Sequence, residues 1–355
     1  MREAVNLMSD TVTLPTQEML QAMATAPLGD DVTREDPTVN RLEALAAERL
    51  GKEAGLFVAS GTMGNLVAVL AHTQRGDEVI MESECHMYYY EVGGLAAVAG
   101  VMPRLVPGRH GVLDPDDVAA AIRGANIHYP TPRLVAVENT HNRGGGTVTP
   151  LNVMVAICNI ARSRGLATHL DGARIFNAAI ALGVDAREIA RPFDSVMFCL
   201  SKGLSAPVGS VLVGNRDFIE RARKCRKLVG GGMRQAGVIA AAGIVALEKM
   251  VDRLREDHQN ARLLGEGLAD IPGIGVDLET VQTNMVYFDV AGLGLDTRSF
   301  LKELAEYNVR ASERPPTGVR MVTHRHISRE NILYVLDVIR EISTRHLKSD
   351  SRLPS

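Results

Sequence analysis

Along the 355-residue chain, short runs of apolar residues bounded by Gly, Asp or Pro alternate with longer segments of helical period. The short runs predict strands over 55–59, 78–82, 102–106, 133–138, 167–171, 195–200 and 210–213. The longer segments predict helices. One opens at Asp36-Pro37, an N-cap and first helical position, and runs to about residue 50. Another follows the turn Ser60-Gly61-Thr62-Met63-Gly64 and ends near residue 73. Further helices are predicted over 87–99, from Asp114-Pro115, over 151–164 and over the basic stretch 215–227. The run 133–138 is continuously apolar, as a strand covered on both faces should be. Repeated strand–helix units predict an α/β domain with a largely parallel sheet.

Near residue 250 the pattern changes. A long, charge-rich amphipathic helix is predicted over 249–269, strands over 284–290 and 318–323 around a helix at 297–307, and a closing helix over 328–343. This describes a smaller α+β unit, with a frayed tail from Lys348. The expected division is a large domain over 1–250, including an N-terminal arm of 1–30, and a small one over 251–355. No internal repeat or low-complexity segment interrupts either part.

Composition narrows the function. Apolar residues make up 46% and charged residues 23%, which excludes a disordered or collagen-like chain. Without Trp and with seven Phe, packing must rest on Ala, Val, Leu and Met. A net charge of −3 offers no basic excess for a nucleic-acid partner. The longest apolar run, 236–247, falls short of the roughly 20 residues that a membrane-spanning helix needs. Arg2 and Glu3 are followed by no apolar h-region, so a cytosolic protein is expected. Cys85, Cys158, Cys199 and Cys225 are spaced too widely for a zinc pattern, and a chain of this size needs no disulfides. They are expected to be reduced thiols, and no metal is expected.

Three signals stand at strand ends, where open α/β sheets gather ligands. Ser60-Gly61-Thr62-Met63-Gly64-Asn65 joins a strand to a helix, so its small residues expose N–H groups where the helix dipole favours an anion. It lacks the Walker lysine and the dinucleotide glycine spacing, which suggests one phosphate; the alternative is a glycine turn needed only for geometry. In His169-Leu170-Asp171-Gly172-Ala173-Arg174, an Asp at an apolar strand end is costly unless paired, and it suits a protonated ring nitrogen or a metal. The alternative is a helix cap. In Phe198-Cys199-Leu200-Ser201-Lys202-Gly203, a lysine follows an apolar strand, where burial would prepare its amine for Schiff-base chemistry. The alternative is a lysine snorkelling at the sheet edge. Together the three read as a pyridoxal-phosphate site. The phosphate would sit on the glycine turn, Asp171 would bind the pyridine nitrogen, and Lys202 would hold the aldehyde carbon one strand–helix–strand step later.

Over nearly its whole length the chain resembles the L-threonine aldolases of the aspartate aminotransferase superfamily. The resemblance is carried by Ser9-Asp10-Thr11-Val12-Thr13, Gly29-Asp30-Asp31-Val32, Phe57-Val58-Ala59-Ser60-Gly61-Thr62-Met63-Gly64-Asn65, Glu138-Asn139-Thr140-His141-Asn142, Asp171-Gly172-Ala173-Arg174, Ser201-Lys202-Gly203-Leu204 and Gly230-Gly231-Gly232-Met233-Arg234-Gln235. It implies fold type I, a mostly parallel seven-stranded sheet flanked by helices with a smaller C-terminal domain. It also implies that His86 stacks on the cofactor, that Gly61 and Thr62 take the phosphate, and that His86 or His128 serves the substrate hydroxyl. Ser9, Arg174 and Arg320 would grip the substrate carboxylate, to which a guanidinium offers bidentate geometry. Lys227 and Arg234 would reach the phosphate region from a neighbouring subunit, and the assembly would be a homotetramer with active sites at the dimer interface. Tyr88-Tyr89-Tyr90 reads as packing or pocket wall.

The expected reaction is retro-aldol cleavage of L-threonine, L-allo-threonine or a related β-hydroxy-α-amino acid to glycine and an aldehyde. Two alternatives are another fold type I lyase, acting on phenylserine-like substrates or by β-elimination, and a cofactor-binding relative without catalysis. A dinucleotide-dependent dehydrogenase fails on the glycine spacing.

Overall fold

The computed structural model describes residues 4–350, side chains excepted at the last two. Arg2, Glu3 and the tail past residue 350 lie outside it. Two compact units result: Leu14–Val251, and a smaller one joining the segment up to Thr13 to the chain from Asp252 onward.

The larger unit is built on seven strands in the order Ala54–Val58, Ser210–Gly214, Ser195–Cys199, Ala167–Asp171, Pro132–Glu138, Glu78–Glu82 and Met102–Val106. From Ser195–Cys199 to the Met102–Val106 edge every pairing is parallel. Ser210–Gly214 is antiparallel to both neighbours. The reason is local: the connection after Cys199 is too short for the crossover a parallel strand needs, so the chain turns straight back. Helix Gly61–His72 packs its Val67 and Ala68 with Leu56, Met197, Leu212 and Phe218 in one buried cluster. A second cluster joins Val69, Val79, Met81, Leu95 and Leu134. Each such side chain contributes roughly 1.5–3 kcal/mol of burial free energy.

Three element bounds expected from the sequence need correction. The stretch 87–99 is not one helix. A single turn, His86–Tyr89, is followed by Val92 at φ 55° and Gly93 at φ 68°, and a short π-turn spans Leu95–Ala99. The left-handed backbone at Val92 and Gly93 keeps the two pieces from joining into one helix. The helix expected over 249–269 starts later, at Leu254, and ends at Ala269; Lys249 closes a separate helix, Gly237–Lys249, that takes up the apolar run.

In the smaller unit, four antiparallel strands run in the order Ser312–Arg314, Gly318–Val322, Met285–Asp289 and Gly275–Val276. Separately, Val5–Asn6 pairs in parallel with Val309–Arg310. Its core contains Leu264, Phe288, Phe300, Leu304, Met321 and Ile339. The closing helix runs Arg329–Asp350, past the expected end at 343, because Ile342 and Leu347 still pack on that core. Lys348 is therefore helical. No helix among the described residues is long and apolar enough to cross a membrane.

Candidate active site

In a strand, alternate residues share a face, so His169 and Asp171 project together from Ala167–Asp171 while Leu170 points away. In the parallel register, Ser195 of the next strand lies beside His169. Above them runs helix Gly61–His72, on which Asn65 and His72 are seven residues apart and so share a face. The two periods meet in one buried group.

Asp171, almost wholly buried, accepts from the Asn65 amide at 2.9 Å and from the Ala173 N–H at 3.1 Å. The other hydrogen of the same Asn65 nitrogen goes to Glu91 Oε1 at 2.8 Å. Glu91 Oε1 also meets His86 Nδ1 at 3.0 Å. Burial pushes the Glu91 carboxyl up, aided by Asp171, while the contacts with His86 and Asn65 oppose it. At His86 burial favours the neutral ring, but the Glu91 hydrogen bond with the charges of Asp171, Glu91 and Glu138 outweighs it and raises the pKa. The His86 backbone is fixed from below, its N–H donating to Glu138 Oε2 at 2.6 Å. Behind Glu138, His141 meets Glu82 at 2.9 Å and accepts from the Gly144 N–H at 3.0 Å.

His86, Glu91 and Asp171 each offer one ligand atom, all within 4.8 Å of one another. Here those atoms serve a hydrogen-bonded set tied together by Asn65, so the group reads as two braced carboxylates beside an imidazole.

The glycine turn is explained in two parts. A Cβ on Gly61 would stand 3.0 Å from Cys199 Sγ, and one on Gly64 would stand 2.6 Å from Met197 Cγ. Packing of the helix start on the sheet therefore requires Gly64 and leaves little room at Gly61. The Ser60 side chain caps the helix by accepting from Met63 N, and this leaves the Gly61 and Thr62 N–H groups at the exposed helix end, where an anion is favoured. Gly231 abuts Met63, and Lys227 lies against Gly232.

Lys202 lies three residues beyond Ser195–Cys199, half-buried, in a connection where Ser205 N–H donates to the Lys202 carbonyl and Ser205 sits at φ 65°. Its strand and the Asp171 strand are adjacent and parallel, so both residues stand at carboxyl ends of neighbouring strands. The donor set fits a pyridine ring with a phosphate arm: a buried carboxylate for a protonated ring nitrogen, helix-end amides for the phosphate, and an amine at the next strand end.

Arg174 is buried at the start of helix Ile175–Leu182. Asp171 does not cap that helix; its Oδ1 takes Ala173 instead. His128 stands in an exposed turn beside Ile127, which is 95% exposed, and its N–H is held by Asn126. None of the hydrogen bonds of the Asp171 group reaches it. Arg234 pairs with Asp30 at 2.8 Å. In the smaller unit Arg320 donates to the Met8 carbonyl at 3.0 Å, beside Ser9, whose side chain accepts from Thr11 N. The tyrosines 88–90 are about half exposed; the Arg143 guanidinium lies 4.0 Å over the Tyr89 ring and binds Tyr90 Oη at 3.1 Å. All four cysteines are free. Glu91, His72, His169 and Ser195 were not singled out from sequence, though the spacings 65/72 and 169/171 carried the signal.

Residues 6–291 match the beta-eliminating lyase family. The chain belongs to that family. Within it, the chain is 44% identical over 343 residues to low-specificity L-threonine aldolase 1 of Arabidopsis thaliana, covering 95% of this chain and 96% of that one. It is 46% identical over 333 residues to the low specificity L-threonine aldolase of Escherichia coli K12, covering 93% and 97%. The solved structure of a Leishmania major threonine aldolase superposes with a TM-score of 0.84 at 19% identity, covering 96% of this beta-eliminating lyase family member and 99% of that chain.

Proposed function

We propose that the protein is a pyridoxal 5'-phosphate-dependent carbon–carbon lyase, an L-threonine aldolase. It cleaves L-threonine, L-allo-threonine and related β-hydroxy-α-amino acids to glycine and an aldehyde such as acetaldehyde. The single observation that carries the reading is the buried Asp171 carboxylate, held by neutral donors at a strand end next to the Lys202 strand. The relatives at 44% and 46% identity support the choice of substrate.

When bound, the cofactor supplies the electron sink for charge left on Cα as the Cα–Cβ bond breaks. The chain supplies the rest. Lys202 would attach the cofactor, Asp171 would hold its ring nitrogen protonated, Gly61 and Thr62 would bind its phosphate, and His86 would stack on its ring. Ser9, Arg174 and Arg320 hold the substrate carboxylate and so select the bond set for cleavage. His86, His128 or a water held by them takes the β-hydroxyl proton. The protein works in the cytosol as a homotetramer, a dimer of dimers, with Lys227 and Arg234 reaching the phosphate region of a neighbouring subunit.

The test is product analysis with threonine and its allo isomer. Glycine and acetaldehyde in equal amounts are expected, with activity and the bound-cofactor absorption band both lost in Lys202→Ala. Ammonia with a keto acid would instead assign β-elimination, and an unchanged spectrum in Lys202→Ala would remove the lysine assignment.

A further inference from the structure

We propose that the chain His72–Ser195–His169–Asn65, half-buried at its outer end His72 and buried from Ser195 inward, is a positioning set that holds Asp171 ionised and correctly turned from beneath. The proposal rests on the reading of Asp171 as the partner of a cofactor ring nitrogen. His72 Nε2 lies 2.8 Å from Ser195 Oγ, Ser195 Oγ 2.8 Å from His169 Nδ1, and His169 Nε2 3.1 Å from Asn65 Oδ1. Ser195, His169 and Asn65 are fully buried, and the His72 ring is stacked on Phe218 at 4.4 Å.

The direction of every proton in the chain follows from its inner end. Glu91 and Asp171, when ionised, only accept, so both hydrogens of the Asn65 nitrogen point at them. Asn65 Oδ1 must then accept, and His169 Nε2 must carry a hydrogen. Burial keeps the His169 ring neutral, with its pKa pulled down to about 4. Its Nδ1 is therefore a lone pair that accepts from the Ser195 hydroxyl. Ser195 Oγ in turn accepts from His72 Nε2–H, and burial likewise holds His72 neutral, near 3. All the dipoles run one way, donor ends toward the carboxylates. Protonating Asp171 would leave an Asn65 N–H facing a hydroxyl and would work against the whole line. Such chains strengthen each bond they contain.

The first measurement is the tautomer of each ring by nitrogen-15 NMR of histidine-labelled protein without cofactor. Both His169 and His72 should be neutral with the proton on Nε2 from pH 6 to 8. A proton on His169 Nδ1, or a cationic ring, would overturn the proposal. The second uses holoenzyme carrying nitrogen-15 pyridoxal phosphate. His169→Gln keeps a donor toward Asn65 and should keep the ring nitrogen protonated. His169→Leu removes it and should shift that nitrogen toward its unprotonated signal, with kcat lowered roughly tenfold and KM unchanged, the scale found when a partner behind a ligating group is lost. Equal, wild-type-like signals in the two variants would show that the chain only packs the core. Should His169→Leu not fold, Ser195→Ala breaks the same line one step back, with the same expected shift; no shift there sinks the proposal. A nitrogen that stays protonated in Asp171→Asn would instead refute the reading of Asp171 itself.

Discussion

Asp31 and Asp171 belong to the same unit, and each is 2% exposed, yet they are satisfied in opposite ways. Asp31 faces the guanidinium of Arg226 at 2.8 Å, itself buried and donating at 2.6 Å to the Phe57 carbonyl. Burial lowers the Arg226 pKa, and the charges of Asp31 and Glu43 oppose that fall. This is a closed pair: charge cancels charge inside the fold. Asp171 is braced by an amide and a backbone N–H, both uncharged. A buried carboxylate is expensive unless something positive answers it. The comparison teaches that Asp31 serves the fold, whereas the proposed role of Asp171 answers its charge with a cation brought from outside the chain.

The largest effect should come from breaking the open member. Asp171→Asn keeps the shape and the Asn65 contact but removes the charge. We expect kcat to fall at least ~10³-fold, about 4 kcal/mol of lost stabilisation, with the urea midpoint unchanged or higher. Near-native turnover would contradict the counter-charge argument.

Breaking the closed member should do the reverse. Asp31→Asn leaves the buried Arg226 guanidinium without its paired carboxylate, Glu43 acting only from further off, a loss of up to about 3–5 kcal/mol in stability. Activity per folded molecule should stay normal. The double change Asp31→Leu with Arg226→Met should recover most of the lost stability, since well-packed apolar residues replace a buried pair at little cost. A midpoint equal to wild type in Asp31→Asn would show that the pair is dispensable.

The neutral histidines behind Asp171 add a pH dependence. Unfolded, each binds a proton below about 6.5; folded, His169 resists until about 4 and His72 until about 3. Between those limits the unfolded chain holds more protons, so stability is present above pH 6.5 and is lost as the pH falls. The full loss is about 3 kcal/mol for His169 and about 5 kcal/mol for His72, of which about 2 kcal/mol each falls between pH 6.5 and pH 5. Denaturant midpoints at pH 7 and pH 5 measure it, and His169→Gln should flatten the slope. The same slope in that variant would exclude His169 as its source.

How much of this was legible in the sequence follows from what each feature depends on. Lys202, Asp171 and Gly61 stood out because an apolar run ends abruptly in a residue that a core would not otherwise choose. The parallel sheet followed from the alternation of elements. The antiparallel Ser210–Gly214 strand depends on the length of one connection, which periodicity does not weigh. The His169–Ser195 contact depends on strand order and register, and these are set by the whole sheet. Arg226 lay in a stretch read as a basic helix, and nothing local marks that one of its charges turns inward to Asp31. Glu91 was hidden because 87–99 read as a continuous helix. The left-handed Val92 and Gly93 that break that helix lie directly after Glu91.

Glu91 supplies the smallest test of the contrast. It is the second carboxylate on the Asn65 amide, and unlike Asp171 it is hydrogen-bonded to a partner able to carry charge, His86 at 3.0 Å. It stands between the closed pair and the open one. Glu91→Gln retains an oxygen for Asn65 and His86 but removes the charge, so the fold should be unaffected. The raised pKa of His86 depends on the Glu91 hydrogen bond and on the charges of Asp171, Glu91 and Glu138. Losing one of these should lower it, since a close opposite charge favours the protonated ring. If His86 accepts the hydroxyl proton, it acts as the unprotonated ring, so the acidic limb of the kcat/KM profile should move to lower pH. The change in kcat at the plateau should stay below about tenfold, since Asp171 keeps its charge and its brace. A limb that does not move would assign the base to His128 or to water, and a loss as deep as that of Asp171→Asn would make the two carboxylates equal partners of the bound cation.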